Sequence, residues 1–103
     1  MADFKQGDVL KISGGKNLYI IVSNNAFNKA TGFLQVCPYL DKAAPGPLHI
    51  QVAGVNGHRG FAICEQIKLI DPSIRFCSKV DHGLAEQLMN LQDALQGLFE
   101  YSL

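Results

Sequence analysis

No apolar run in this chain is long enough to cross a bilayer; the longest, such as Leu18 to Val22, break after a few positions. The opening Met1-Ala2-Asp3-Phe4-Lys5 also lacks the charged-then-apolar form of a signal peptide. A cytoplasmic protein without membrane association is the expectation. Nor is there any Cys-x-x-Cys pair. Cys37, Cys64 and Cys77 are odd in number and widely separated, which suits neither a disulfide framework nor a zinc site. Reduced thiols in the core are expected, with no metal and no cofactor. Net charge is lacking too: the formal sum is zero, which argues against coating nucleic acid through bulk electrostatics. The last segment has no bases at all. From Asp81 onward come Asp81, Glu86, Asp93 and Glu100, so all nine Lys and Arg residues precede them, set against five acids. Such a basic body suits phosphates or an acidic partner peptide, while the acidic tail also reads simply as a solvated helix face.

At 103 residues, with enough apolar content for a core, the chain reads as one domain spanning 1–103. Gly7 to Ser13 predicts a first strand halted by Gly14-Gly15. Leu18 to Val22 is β-branched and aromatic, a strand buried on both faces and therefore central. Asn25 to Thr31 predicts one or two helical turns released at Gly32. Phe33 to Cys37 predicts a strand that Pro38 ends, and Pro45-Gly46-Pro47 makes Asp41 to Pro47 a loop. Leu48, Ile50 and Val52 alternate with His49 and Gln51, predicting a strand that turns at Asn56-Gly57 and returns through Phe61 to Gln66. Both turn residues tolerate positive φ. Two short strands are expected at Ile67–Ile70 and Ile74–Cys77. The period then changes: Leu84, Leu88, Leu91, Leu95 and Leu98 line one face of a helix, with Asp81 placed to cap it and Phe99 to Leu103 free to fray beyond Gly97. The fold class is mainly β with a C-terminal helix, a small twisted sheet or partly open barrel of about five to seven strands.

The ordered series GDVLKIS, KNLYIIVSNNAFNKATG, FLQVCPY, LHIQVAG and GFAICEQIKLID, followed by a leucine-rich helix, resembles the MazF/PemK toxins of bacterial toxin–antitoxin systems. The resemblance covers nearly the whole chain. It implies an SH3-like barrel of the CcdB/MazF/PemK kind, a two-fold homodimer, metal-free cleavage of single-stranded RNA, and an antitoxin protein partner whose disordered tail covers the site.

Cleavage through the ribose 2′-hydroxyl needs a base, an acid for the leaving oxygen and a cation for phosphorane charge. The family places an Arg in a Gly-x-Arg-Pro segment before the second strand. Here that segment is Gly15-Lys16-Asn17-Leu18, so Asn17 stands at the Arg position and Lys16 offers a point charge in its stead. The family's hydroxyl segment is Pro38-Tyr39-Leu40, where Leu40 replaces the Thr and Tyr39 brings a phenol. Glu65 matches the family's acid, and Ile63 stands where one branch has an Arg; strand alternation puts both on one face. The catalytic candidates are Glu65, Lys16 and Arg59. The substrate-binding candidates are Asn17, Ser23, Tyr39 and His58, with His58-Arg59 also readable as ordinary polar turn residues.

Two other readings stay open. One is a non-enzymatic inhibitor of DNA gyrase resembling the CcdB branch, acting through Leu98 to Leu103. The other is a degenerate binding module that keeps the fold without the reaction.

Overall fold

The computed structural model describes residues 3–102. Seven strands come first, β1 (Asp8–Ile12), β2 (Leu18–Ile21), β3 (Leu34–Leu40), β4 (His49–Ala53), β5 (Arg59–Ile63), β6 (Lys68–Ile70) and β7 (Cys77–His82), in one antiparallel sheet of order β4-β5-β3-β2-β1-β7, with β6 paired to β3. Helix α1 (Asn25–Thr31) joins β2 to β3, a 3-10 turn (Cys64–Gln66) joins β5 to β6, and α2 (Ala85–Leu98) closes the chain. The mainly β barrel with a late helix is therefore the architecture the sequence predicts. Glycine Gly54 pairs with Gly83, drawing the ends of β4 and β7 together so that the sheet curls. Helix α1 starts where the Asn24 side chain accepts from the Phe27 amide at 2.8 Å and stops at Gly32, whose φ of +74° puts it in the left-handed region.

The two faces of the sheet carry separate cores. Val9, Ile20, Cys37, Val52 and Ala62 pack with Leu91 and Leu95 of α2. Leu10, Ile12, Ile21, Leu34, Val36 and Ile70 form the other, with Phe4 and Tyr19 against them. The central position of β2, between β1 and β3, follows its β-branched composition.

Several sequence expectations are corrected. Pro38 does not end β3, which runs on to Leu40. The Val22 amide reaches the Gln35 carbonyl, so Gln35 and every second residue after it face β2, while Pro38 faces the opposite edge. There it falls between the partners of β6 (Leu34 to Val36) and those of β5 (Tyr39 and Leu40), where no ladder bond is asked of its missing N–H. Asn56 keeps a negative φ and only Gly57, at +101°, takes the left-handed conformation, because the connection is a five-residue loop closed by Gly57 N–H to the Gly54 carbonyl. The expected Ile74–Cys77 strand is a turn instead: Asp71 accepts from the Ser73 amide and hydroxyl, and the Asp71 carbonyl accepts from Ile74 and Arg75. The last strand is Cys77–His82, whose polar sequence hides it. Asp81 does not cap α2. It sits in β7 with its carboxylate buried, and Leu84 occupies the cap position without a side-chain bond. Of the end expected to fray, Phe99 to Ser102 lies outside the helix, and Leu103 lies outside the described residues.

Candidate active site

Alternation along β4 decides which side chains stay outside the helix-covered core. Leu48 and Ile50 pack towards α2, so His49 between them projects from the other face. His49 pairs in register with Ile63, and directly after Ile63 the chain leaves the strand for the 3-10 turn that carries Glu65. Strand alternation ends at Ile63, so the turn, rather than the strand expected to run on to Gln66, sets the Glu65 carboxylate over β4. There Glu65 Oε1 meets His49 Nε2 at 2.6 Å.

The other ring nitrogen fixes the proton on Nδ1. His49 Nδ1 donates to the Ala44 carbonyl at 2.5 Å, and a carbonyl only accepts. The Ala44 carbonyl requires a proton on Nδ1, and with a carboxylate at Nε2 a second proton there gives the imidazolium that satisfies both contacts. The Ala44 carbonyl first, and then the Glu65 carboxylate, raise the His49 pKa above its ordinary value, against a smaller opposing effect of burial. The Asp41–Pro47 loop thereby contributes a backbone group to the site. Nothing in the sequence marks His49 beyond its polar position in an apolar alternation.

The remaining candidates divide by what they touch. Arg59 is exposed at the start of β5, two steps from Phe61 and four from Ile63, and so on the His49 face. Lys16 and Asn17 are exposed in the β1–β2 loop, just before Leu18, which pairs with Tyr39 near the end of β3. Neither makes an ion pair or a side-chain hydrogen bond among the described residues, so the side chain that meets Glu65 is His49 rather than Lys16. Ser23 ties α1 to β3, donating to the Asn28 side-chain oxygen and accepting from the Gln35 amide at 3.0 Å. Tyr39 is 4 % exposed and its hydroxyl donates to the Val52 carbonyl. Burial, and then the Asp81 charge, raise its pKa. His58 is turned away to β7, with Nδ1 at 2.6 Å from Asp81 Oδ2. The structure brings together Glu65 and His49; Ser23, Tyr39 and His58 are committed to internal partners.

Asp81 holds the β4–β5 loop in place. Its two oxygens accept from the Asn56 amide at 2.9 Å, the His82 amide at 2.7 Å, the His58 amide at 3.1 Å and the His58 ring. Burial pushes the Asp81 pKa up, but these four donors outweigh it and hold the carboxyl well below the usual range. Nearby, buried Asp8 accepts from His82 Nδ1 at 2.7 Å and the Lys5 amide at 2.8 Å, with Lys79 Nζ at 3.3 Å. The thiols face the other way in both senses: buried Cys37 and Cys64 lie in the helix-side core, and burial pushes them up to about 12 and about 11, so both stay protonated. Cys77 is half-buried. Among the described residues, no three His, Cys, Asp or Glu side chains converge as metal ligands would, and no helix is long and apolar enough to cross a membrane.

A sequence model of the family described as PemK-like, MazF-like toxin of type II toxin-antitoxin system matches residues 1–99. No protein in a curated set matches. Among solved structures, a MazE–MazF complex from Deinococcus radiodurans (Form-II) superposes with a TM-score of 0.84 at 21% identity, covering 99% of this chain and 100% of that one. MazF alone from the same organism (Form-I) gives 0.79 at 20%, covering 95% and 97%. An endoribonuclease in complex with its cognate antitoxin, from a mycobacterial species, gives 0.73 at 17%, covering 94% and 93%. At such identities the structural likeness is one of fold.

Proposed function

Because this chain belongs to the family of PemK-like, MazF-like toxins of type II toxin–antitoxin systems, we propose that it acts as a toxin that cleaves single-stranded RNA, with His49 and Glu65 as its proton-transfer pair. The observation that carries this reading is the 2.6 Å contact between the Glu65 carboxylate and an imidazole whose other nitrogen is held by the Ala44 carbonyl.

Glu65 engages His49 through Oε1, leaving Oε2 to take the proton from a ribose 2′-hydroxyl. The freed oxygen attacks the adjacent phosphorus, and the imidazolium of His49 gives its Nε2 proton to the departing 5′-oxygen. The products are a 2′,3′-cyclic phosphate and a 5′-hydroxyl, so protons and bonds balance without a co-reactant. Arg59 and Lys16 supply positive charge for the phosphorane oxygens, and Asn17 a neutral donor at the family's Arg position. This division replaces the lost guanidinium with an imidazolium. Purified protein incubated with mixed single-stranded RNA in EDTA should release ends bearing cyclic phosphate, and Glu65→Gln should abolish them. Absence of such ends at high protein concentration would defeat the proposal.

The partner expected on the same reading is an antitoxin protein, and the setting is the cytoplasm. A second copy would cover apolar surface such as Ile74 and Phe76, which are 80% and 77% exposed. A monomer by light scattering at micromolar concentration would contradict that. One observation favours the gyrase-inhibitor alternative: Phe99 and Tyr101 are 72% and 88% exposed beyond the last helix. Deleting residues 101–103 should remove toxicity on that reading and leave RNA cleavage untouched on the first.

A further inference from the structure

Ile50, Val52 and Ala62 pack into the core beneath α2, so the residues that alternate with them lie on the opposite face of the same strands. Gln51 of β4 is paired in register with Phe61 of β5, and Phe61 in turn with Leu40 of β3. Gln51 is exposed, while Phe61, Leu40 and Pro38 are half-buried. An aromatic ring set in a sheet, open to solvent on one side, with an amide beside it, is the arrangement that single-stranded nucleic acids use for stacking.

Cations flank this ring at both ends. Arg59 is one side-chain step from Phe61 along β5 on the same face. Lys68 lies towards the other end, its ammonium 3.1 Å from the Tyr19 hydroxyl and 4.3 Å from the centre of the Tyr19 ring. Tyr19 pairs with Pro38, two residues from Leu40, so Tyr19, with the Lys68 ammonium over its ring, stands on the same face about 12 Å from Phe61, from two strand spacings and one two-residue step. His49 is one side-chain step from Gln51 along β4. The run from Arg59 to Lys68 thus sets two aromatic rings, Phe61 and Tyr19, between two cations, with Leu40 and Pro38 filling the space between the rings.

Resting on the ribonuclease reading, we propose that Phe61 and Gln51 form a base-recognition subsite beside the His49–Glu65 pair, in which Phe61 stacks a nucleobase and the Gln51 amide grips its edge, with adenine preferred. A carboxamide offers one donor and one acceptor in a plane, which matches the N6 donor and N7 acceptor of adenine in two places. Arg59 and Lys68 hold the phosphates to either side. The occupant is therefore a short single strand of about four nucleotides or more.

The test separates binding from cleavage. A fluorescent single-stranded DNA of about eight nucleotides lacks the 2′-hydroxyl and cannot be cut, so its anisotropy reports the platform alone. Oligo(dA) should bind about tenfold tighter than the abasic strand of equal length, the lower part of the range for one stacked base. Phe61→Leu keeps the half-buried volume and should bring oligo(dA) down to the abasic level with an unchanged melting temperature. Gln51→Ala should erase the advantage of dA over dC and dT while leaving the advantage over the abasic strand. Equal binding of abasic and base-bearing strands would overturn the subsite and assign the face to a protein partner. A preference that survives Gln51→Ala would overturn the role of the amide. Base-dependent DNA binding without RNA cleavage in EDTA would uphold the platform while the ribonuclease reading fails.

Discussion

Replacing Asp81 with Asn tests whether a buried carboxylate, rather than local turn propensity, holds the β4–β5 loop. In the native protein Oδ1 accepts the Asn56 and His82 amides and Oδ2 accepts the His58 amide and ring. Asparagine offers one oxygen and one NH2, so in either flip two N–H donors face another donor. Two hydrogen bonds to a charged group are lost at about 1.5–3 kcal/mol each, and the other two fall to neutral strength, losing about 0.5–1 kcal/mol each. The sum is about 4–8 kcal/mol, against about 5–15 kcal/mol for a domain of this kind. Melting should fall by at least 15 °C, at about 4 °C for each kcal/mol, read by circular dichroism alongside urea unfolding at neutral pH. The sign of the pH dependence follows from the depressed pKa of Asp81: its contribution is whole above the unfolded carboxyl value of about 3.9 and fades as pH falls below it towards the folded value. The gap between wild type and Asp81→Asn should therefore narrow only below about pH 4. A loss under about 1 kcal/mol at neutral pH, below a single bond of this type, or a gap that is the same at pH 3 and pH 7, would refute the account.

Other outcomes follow from the same geometry. His49→Gln should lower the RNA cleavage rate by about 10²–10⁴-fold, and wild-type activity should persist above the ordinary histidine range, then fall as pH rises through the raised His49 pKa and the acid is lost; a rate flat across that range would remove His49 from the reaction. Gly54→Ala should be more damaging than Gly83→Ala: a Cβ on Gly54 would run into the buried Asp81 carboxylate, whereas on Gly83 it would meet a flexible Leu88 methyl at 2.6 Å and a Val52 methyl at 2.9 Å, and equal urea midpoints would contradict this. Asn24→Ala should cost about 1 kcal/mol through the lost cap on the Phe27 amide, measured by urea unfolding. Leu91→Ala should cost about 2–5 kcal/mol, since Leu91 is wholly buried between α2 and the sheet, and a smaller loss would mean that the helix is only loosely docked.

What the sequence settled by itself are the features written in periodicity and turn chemistry. The alternation of Leu48, Ile50 and Val52, the β-branched run at Leu18 to Ile21, the release of α1 at Gly32 and the leucine spacing of α2 are each local, because neighbouring residues alone decide them. The matching order of motifs was enough to place the chain in its family. Tertiary structure decided what depends on distant groups. β7 was hidden because its polar residues find partners only across the sheet: Asp81 with the loop amides, and His82 with Asp8. Pro38 passes through a strand because the opposite edge has a gap at that point. Above all, the candidate site depended on a 3-10 turn that carries Glu65 back over β4 to His49, sixteen positions earlier in the chain. No spacing rule links those two residues; a hairpin register and one tight turn bring them within hydrogen-bonding distance.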